Sequence, residues 1–461
     1  MTASATALPA SPAWLDRWAD FASGLQFADL PAAVVARSRQ VLFDSVGAIA
    51  AGAQEAETRA LTERLAALGG SGGFAAPVIG AHRRLPAGTA AFLNGTAGTM
   101  LEIDEGNQFA RGHPGIHVVP AALAAAERLG ASGAELITAL ALGYEIGARI
   151  GIAGKILVTM HPHGTWGTVG AAVAVAKLNG ASADRMREVI NLASTLGLAT
   201  SRRTMLEGGT VRNSFAGFSN EIGLRVWEMA VAGFVGEADG IGTVYGTVIA
   251  TDFQPDAMVE DLGTRWEIAR NYFKRHAACR YNHGALDALS AIVARAGGRI
   301  AAEAVERIEV DTYVWAAQLS GQEPRNMLAA KFSLPFSLAT FLVNGGATVE
   351  AFRDAARADP VTRDLARRIT VREDPALTAL LPGLRPARVR VTLVDGRVLE
   401  AEATTNRGDT EDPYSDDEIA AKFREVAGPV WGAAHAERVL AATLALDTAP
   451  DIRPYAALLA E

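Results

Sequence analysis

The sequence predicts a mostly α-helical protein in which a smaller α+β region follows a long helical one. Up to about residue 270, apolar residues recur at three- and four-residue spacing in Ala-rich segments that Gly or Pro separates. This is the period of an amphipathic helix. Between about residues 271 and 404 apolar and polar residues also alternate with a period of two, as in half-buried strands. From Ser415 onward the pattern is helical again.

Three helices can be justified residue by residue. The first follows Pro31 and stops near Gly52, because Pro suits a helix start and Gly a helix end. The second begins after Ser132, whose hydroxyl forms a capping box with Glu135. The third contains the small residues 170–177, which permit close contact with neighbouring helices.

The strand signals come next along the chain. Ile308 and Val310 alternate with charged residues, which predicts one strand. A second signal is the alternation over 388–393, after which Asp395 and Gly396 offer a hairpin turn into a strand over 398–403. A helical stretch over 283–296 lies between these signals, so the region is predicted to be α+β.

Composition excludes several classes of protein. The 461 residues carry 43 Lys and Arg against 51 Asp and Glu, a net charge of −8, so we expect neither nucleic-acid nor membrane binding. The only cysteine, Cys279, cannot form an internal disulfide, and this favours a cytoplasmic setting. Residues 1–14 lack the features of a secretory signal. The apolar stretch 137–152 contains Glu145 and Arg149 and is predicted to be a buried helix.

Six of the eight histidines fall in three short stretches that also carry other polar groups. In the first, 101–117, the acids Glu102, Asp104 and Glu105 precede Arg111 and His113, and such groups could transfer protons. The alternative is a solvated acidic loop with a helix starting after His113.

The second stretch, 160–170, places His161 and His163 before a glycine-rich helix start, whose free backbone N–H groups could hold an anion. The alternative is that these histidines only pack or cap. No further metal ligands stand at suitable spacing, so no metal is predicted.

The third stretch, 274–283, is dense in cations and would suit a polycarboxylate, because Arg can grip a carboxylate with two hydrogen bonds. The alternative is a solvated basic face. Cys279 in this stretch is open to two interpretations, a nucleophile or a quiet packed thiol. Arg212, between glycines, and Lys331, before an aromatic run, are further candidates.

Several motifs, in this order, resemble the MmgE/PrpD family, which includes 2-methylcitrate dehydratase, cis-aconitate decarboxylase and iminodisuccinate epimerase. They are NGTAGTMLEID (94–104), GHPGIHVVPAALAAAE (112–127), HPHGTWGTVGAAVAVAKL (161–178), EGGTVRNSFAG (207–217), CRYNHGALDA (279–288), AKFSLPF (330–336) and EDPYSDDEIAAKF (411–423).

The resemblance implies a large all-helical domain, residues 1–270 and 405–461, and a smaller α+β lid domain, residues 271–404. It also implies a homodimer without metal or other cofactor, with an active site between the domains for small di- or tricarboxylates. By position, His113, His161 and Lys274 match active-site residues of the family, Glu102 and Asp104 lie in its acidic loop, and His283 lies in its lid motif.

Four positions depart from the family pattern. Glu102 stands where Asp is usual, Gly106 where Thr is frequent, Arg212 where several members have Lys, and Phe336 where Tyr is common. Because an arginine is always charged, Arg212 is a better carboxylate clamp than proton donor. The substrate is therefore not inherited with the fold.

Together these observations predict a lyase of the dehydratase type that removes a proton α to a carboxylate of a small polycarboxylate. We assign proton transfer to His161, a second proton-carrying role to Asp104 or His113, and charge stabilisation or proton donation to Lys274. The remaining candidates are expected to bind substrate: Glu102, Arg212, Arg280, His283 and Lys331. A decarboxylase, an epimerase and a non-catalytic carboxylate-binding protein are the alternatives. The cations are expected to gather in one cleft, with the acids spread over the surface and one loop.

Overall fold

The structure, a computed structural model, describes residues 11–69 and 73–461. Two hydrophobic cores organise it. The first is built from residues 14–273 and 419–459, so the C-terminal tail returns to the N-terminal part. The second is built mainly from residues 277–393. The domain boundaries at 270 and 404 stay a prediction. Residues 1–10, which belong to the segment that lacks the features of a secretory signal, lie outside the described residues.

The first core belongs to the large domain, which is mostly helical as predicted. Its helices before the lid are α1 (Ala13–Gly24), α2 (Ala32–Gly52), α3 (Ala56–Leu68), α4 (Ala87–Thr99), α5 (Pro114–Leu129), α6 (Gly133–Ala153), α7 (Trp166–Leu178), α8 (Ala183–Ser194), α9 (Arg202–Leu206), α10 (Phe215–Val231), α11 (Gly240–Thr243) and α12 (Pro255–Val259).

The large domain also contains short strands that the sequence pattern does not reveal. They form three antiparallel pairs, and strands of two to four residues are too short to show an alternating pattern. The pairs are β1 (Ala75–Val78) with β2 (Arg83–Pro86), β3 (Gly106–Asn107) with β6 (Asn271–Tyr272), and β4 (Gly154–Ile156) with β5 (Ala250–Phe253).

The three helices predicted in detail are confirmed. Helix α2 begins after Pro31, and Ser132 and Glu135 form the capping box of α6. Helix α7 packs closely on α6, since a Cβ on Gly170 would lie 2.6 Å from the backbone oxygen of Gly143. Of the helices in the described part of the chain, only α6 is long and apolar enough to cross a membrane, and 94 % of its apolar window is buried inside the protein.

The second core belongs to the lid, whose sheet has the order β10-β9-β7-β8. Strand β7 runs parallel to β8 and antiparallel to β9, and Asp395 and Gly396 form the predicted turn between β9 and β10. The lid strands are β7 (Val305–Thr312), β8 (Ile369–Glu373), β9 (Ala387–Leu393) and β10 (Val398–Ala403). The lid helices are α13 (His283–Arg295), α14 (Val314–Ala317), α15 (Met327–Lys331), α16 (Leu334–Asn344), α17 (Asp354–Ala358), α18 (Pro360–Arg367) and α19 (Pro375–Thr378), and the tail that returns to the large domain forms α20 (Asp416–Trp431), α21 (Ala433–Leu444) and α22 (Arg453–Ala460).

The loop between α4 and α5 joins the two cores. Met100, Leu101 and Ile103 belong to the large domain in sequence but pack into the lid core. The same loop carries the predicted acidic residues, so these acids lie where the two domains meet.

Candidate active site

A small cavity lies between the large domain and the lid, with a volume of ≈ 50 Å³. Its walls carry Glu102, His113, His161 and Arg212 from the predicted set. A molecule of liquid water occupies about 30 Å³, so the cavity as it stands holds one or two waters. The first two histidine stretches therefore converge on one cavity between the domains.

His113 and Asp104 form a buried pair at one wall. His113 precedes Pro114, the first residue of α5, and its Nδ1 lies 2.7 Å from Asp104 Oδ2. Burial opposes ionisation of Asp104, but His113, with Lys274 and Arg212, outweighs it and holds the pKa of that carboxyl well below its usual range. Because an ionised carboxylate only accepts, His113 Nδ1 carries the proton and Nε2 has a free lone pair. His113 lines the cavity and Asp104 lies behind it.

His161 has the opposite arrangement. Two N–H donors face its ring: the backbone N–H of His163 lies 3.1 Å from Nδ1, and the Nε–H of Arg212 lies 3.4 Å from Nε2. A neutral imidazole can accept at only one nitrogen, so we assign the shorter bond to Nδ1 and the proton to Nε2, and Arg212 then makes no hydrogen bond to this ring. Burial, and then the charge of Arg212, lowers the pKa of His161 well below its usual value.

The backbone N–H groups of residues 163–165, just before α7, are not free. The N–H of His163 is bonded to His161, that of Gly164 to His117 Nε2 at 3.2 Å, and that of Thr165 to the carbonyl of Pro162. These groups arrange the imidazoles and are not available to an anion.

His163, which sequence reasoning noticed but did not assign to the site, lies at the centre of four imidazoles. Its ring centroid is 4.8 Å from those of His113 and His117 and 4.6 Å from that of His161. Burial lowers the pKa of all four histidines. The cluster is therefore neutral at neutral pH. The signal that could have found it is the HxH spacing itself.

Glu102 connects the two predicted cations of the site. Its carboxylate contacts the guanidinium of Arg212 and lies 3.5 Å from Lys274 Nζ, and its backbone oxygen accepts a hydrogen bond from the same ammonium at 3.1 Å. Its backbone has a φ of +56°, a conformation that non-glycine residues rarely adopt. Strain of this kind persists only where surrounding contacts impose it, and it is frequent at active sites.

The acidic loop is thus neither solvated nor separate from the cations. Glu102, Asp104 and Glu105 are all at most 1 % exposed. The alternative of a solvated acidic loop is therefore wrong for Glu102 and Asp104, which lie beside the cations of the site, because buried cations need nearby acids to offset their desolvation.

Five predicted residues lie outside the cavity wall: Asp104 and Lys274, described above, and Lys331, Arg280 and His283. Lys331 is buried, donates to the backbone oxygen of Met100 at 3.1 Å, and has its pKa lowered by burial to about 7. Arg280 contacts Asp409 at 2.6 Å and His283 Nδ1 at 2.9 Å. A role of these residues in carboxylate binding stays a prediction.

The cavity residues outside the predicted set include three arginines and two tyrosines: Arg111, Arg202, Arg385, Tyr272 and Tyr281. Arg111 and Tyr281 lie in the first and third histidine stretches, whereas no spacing in the sequence marks the other three. Cys279 also lines the cavity, and burial raises the pKa of its thiol, which favours the packed thiol over the nucleophile.

The structure shows the surroundings of two positions that depart from the family pattern, Gly106 and Phe336. A Cβ on Gly106 would lie 2.3 Å from Tyr272 Oη, so a larger residue would collide with that ring. Phe336 is fully buried in the lid core, 6.0 Å from the ring of Phe352. Over the described ranges 11–69 and 73–461, no group of three or more His, Cys, Asp or Glu side chains is arranged to hold a metal ion.

An acid–histidine pair, a second histidine and charged side chains around an interdomain cavity are features typical of an enzyme active site. The model of the MmgE/PrpD N-terminal domain matches residues 16–255, and that of the MmgE/PrpD C-terminal domain matches residues 276–448. The chain belongs to the MmgE/PrpD family.

Curated relatives extend over nearly the whole chain. The sequence is 25 % identical to cis-aconitate decarboxylase of Aspergillus terreus over 95 % of this chain and 94 % of the relative. It is 24 % identical to cis-aconitate decarboxylase of Homo sapiens over 87 % of this chain and 85 % of the relative.

Proposed function

We propose that the protein is a cofactor-independent lyase that removes water from a small hydroxylated di- or tricarboxylate. The observation that carries the proposal is the pair of histidines on the cavity wall. Their hydrogen bonds assign a free lone pair to Nε2 of His113 and an N–H to Nε2 of His161. Membership of the family and the names of the relatives support a polycarboxylate as substrate.

His113 is the base in this proposal. Its Nε2 takes a proton from the carbon α to a carboxylate, while ionised Asp104 behind it holds the imidazole in the required tautomer and stabilises the imidazolium that forms. The role of base therefore moves from His161, to which we assigned proton transfer on sequence grounds, to His113.

His161 assists the departure of the hydroxyl. Its Nε2–H donates a hydrogen bond to the leaving oxygen as the C–O bond breaks and the electron pair of the C–H bond forms the double bond. The proton taken by His113 then passes to that oxygen, water leaves, and both histidines are again neutral. Arg212 and Lys274 lie beside Glu102 and stabilise the negative charge that develops on the substrate.

Decarboxylation is the second candidate, favoured by the names of the relatives. A decarboxylase must protonate a carbon after CO₂ leaves. Burial lowers the pKa of His113, so this histidine rests as a base, and decarboxylation would need another proton donor, for which Lys274 is the candidate. We therefore place dehydration first.

The experiment is product analysis by proton NMR after incubation with citrate, 2-methylcitrate, malate and cis-aconitate. We expect an unsaturated acid from one of the hydroxy acids, with no CO₂ released. Release of CO₂ from cis-aconitate would establish the second candidate instead. Binding without any product from the four acids would contradict both.

A further inference from the structure

Three arginines of the cavity wall have no acidic partner. Arg111, Arg202 and Arg385 lie more than 4.0 Å from every carboxylate oxygen of the described residues, whereas Arg212, the fourth arginine of the wall, contacts Glu102. Arg385 is buried, and Arg111 and Arg202 are half-buried. Taking a guanidinium out of water without an anion is unfavourable, so a bound anion would stabilise this arrangement.

Of the three arginines, Arg385 most clearly lacks a partner for its charge. It comes from the lid just before β9, is 2 % exposed, and donates to the backbone oxygen of Gln108 on the large domain. Its Nε is buried and finds no hydrogen-bond partner among the described residues. A buried guanidinium with an unused donor is prepared to bind a carboxylate.

Tyr281 brings two of these charges together. The guanidinium carbons of Arg385 and Arg202 lie 5.5 Å and 5.6 Å from the centroid of its ring. Arg111 is held nearby by hydrogen bonds of 2.8 Å to the carbonyls of Gly151 and Gly154, with its backbone at a φ of +59°. Burial lowers the pKa of Arg111, and the charges of Arg385 and Arg202 lower it further, as expected for neighbouring cations.

A second cavity, of ≈ 430 Å³, adjoins the first and shares Arg111, Pro162, Arg202 and Tyr281 with it, whereas Arg385 lines the first cavity. We call the place where the two cavities adjoin the passage. The first cavity, at ≈ 50 Å³, is too small for a polycarboxylate, since sites for small molecules usually measure about 300 Å³ or more. A substrate whose reacting carbon lies beside His113 must therefore extend into this passage.

We propose that Arg111, Arg202 and Arg385 form a carboxylate-binding subsite in the passage, which holds a carboxylate remote from the reacting carbon. This inference rests on the proposed function and assigns residues to the binding of a second carboxylate of its substrate. It adds to the enzyme a specificity-determining site contributed by both domains, so that a bound remote carboxylate links the lid to the large domain.

The test measures binding without turnover. Tricarballylate, which has neither a hydroxyl nor a double bond, is titrated by calorimetry against the wild type and against Arg385→Gln, Arg202→Gln and the control Arg388→Gln, whose exposed side chain pairs with Asp374 and Glu402. We expect tenfold or greater loss of affinity in the first two variants and wild-type affinity in the control. Butyrate, with one carboxylate, should bind all four proteins equally weakly.

A second measurement separates this role from a structural one. Arg385→Met should raise the melting temperature of the free protein, because it removes an uncompensated charge, and should abolish the stabilisation by tricarballylate. Wild-type affinity in both passage variants, or a wild type that binds tricarballylate no better than butyrate, would overturn the subsite. A different result would overturn the proposed function: a wild type that binds tricarballylate but turns over none of the hydroxy acids.

Discussion

His113 Nδ1 lies 2.7 Å from Asp104 Oδ2, and both side chains are buried, His113 at the cavity and Asp104 behind it. One carboxylate thus decides which nitrogen of the catalytic histidine is free. The relationship gives Asp104 a positioning role and leaves the contact with substrate to His113.

Asp104→Asn should lower kcat by about 10²- to 10⁴-fold, because an amide neither fixes the tautomer of His113 nor stabilises its protonated form. Steady-state kinetics on the substrate identified by product analysis measures the effect. Glu105→Gln is the control, since Glu105 lies in the same buried loop without lining the cavity. A folded Asp104→Asn protein with kcat within twofold of the wild type would refute the pairing as a catalytic unit.

The pH profile of kcat/KM should show an acid limb below pH 6.5. Burial lowers the pKa of His113 from that ordinary value, so the unprotonated base persists into more acidic solution. In Asp104→Asn the residual activity should have its limb at still lower pH, because the carboxylate that favours the charged imidazole is gone. An acid limb above pH 6.5 in the wild type would be inconsistent with this assignment.

Glu102→Gln should destabilise the protein by about 3–5 kcal/mol, because it leaves Arg212 and Lys274 buried without their shared acid. Urea denaturation measures the loss, and citrate should restore part of it by supplying carboxylates to the same cations. The control is Glu63→Gln, which removes an exposed partner of Arg83 and should change stability little. Equal stability of the two variants would show that the buried cations do not depend on Glu102.

Glu105 should make the protein less stable as the pH rises. Burial raises its pKa to about 8, against hydrogen bonds from Asn271, Gly115 and Tyr144 that oppose the shift. The unfolded chain releases this proton near its ordinary pKa of 4.5, while the folded chain keeps it to about 8. Between these values the folded state binds more protons, so its stability falls by up to about 1.4 kcal/mol per pH unit.

Glu105→Gln removes that titration. The difference in unfolding free energy between wild type and variant should therefore shrink, and can reverse in sign, from about pH 4.5 to about pH 8. Urea denaturation of both proteins over this range provides the comparison. Parallel stability curves would mean that Glu105 is already ionised in the folded protein.

Gly106→Thr, which introduces the residue frequent in the family, should cost about 2 kcal/mol, because a Cβ there would lie 2.3 Å from Tyr272 Oη and 2.8 Å from the oxygen of Gly112. Gly88→Ala is the matched control. Its Cβ would meet nothing closer than 3.7 Å, and Ala favours the helix. Equal melting temperatures of Gly106→Thr and the wild type would show that Tyr272 moves aside freely.

Much of the fold could be predicted because its signals are local. The capping box at Ser132, the helix start after Pro31 and the alternation over 388–393 each involve residues within a few positions of one another. The two-residue strands β3 and β6 could not be found in this way, since their pairing joins residues more than 160 positions apart.

The candidate site, like the fold, could be predicted only in part from the sequence. Glu102, His113, His161 and Arg212 stand in motifs that the sequence displays, and the structure brings them to one cavity. Arg385 reaches that cavity only because the lid folds onto the large domain, and nothing near it in the sequence marks a site. The division of labour between His113 and His161 depends on hydrogen bonds to Asp104 and to the backbone of His163, which composition and spacing cannot reveal.

The central claim, that His113 backed by Asp104 takes a proton from the carbon α to a carboxylate, is tested most directly by exchange in deuterated water. The wild type, Asp104→Asn, His113→Gln and Glu105→Gln are incubated with citrate, 2-methylcitrate and malate, and deuterium at carbon is followed by NMR. The account predicts incorporation α to a carboxylate by the wild type and Glu105→Gln, and a rate at least about 100-fold lower in the other two variants. Incorporation at the wild-type rate by folded Asp104→Asn and His113→Gln would contradict it.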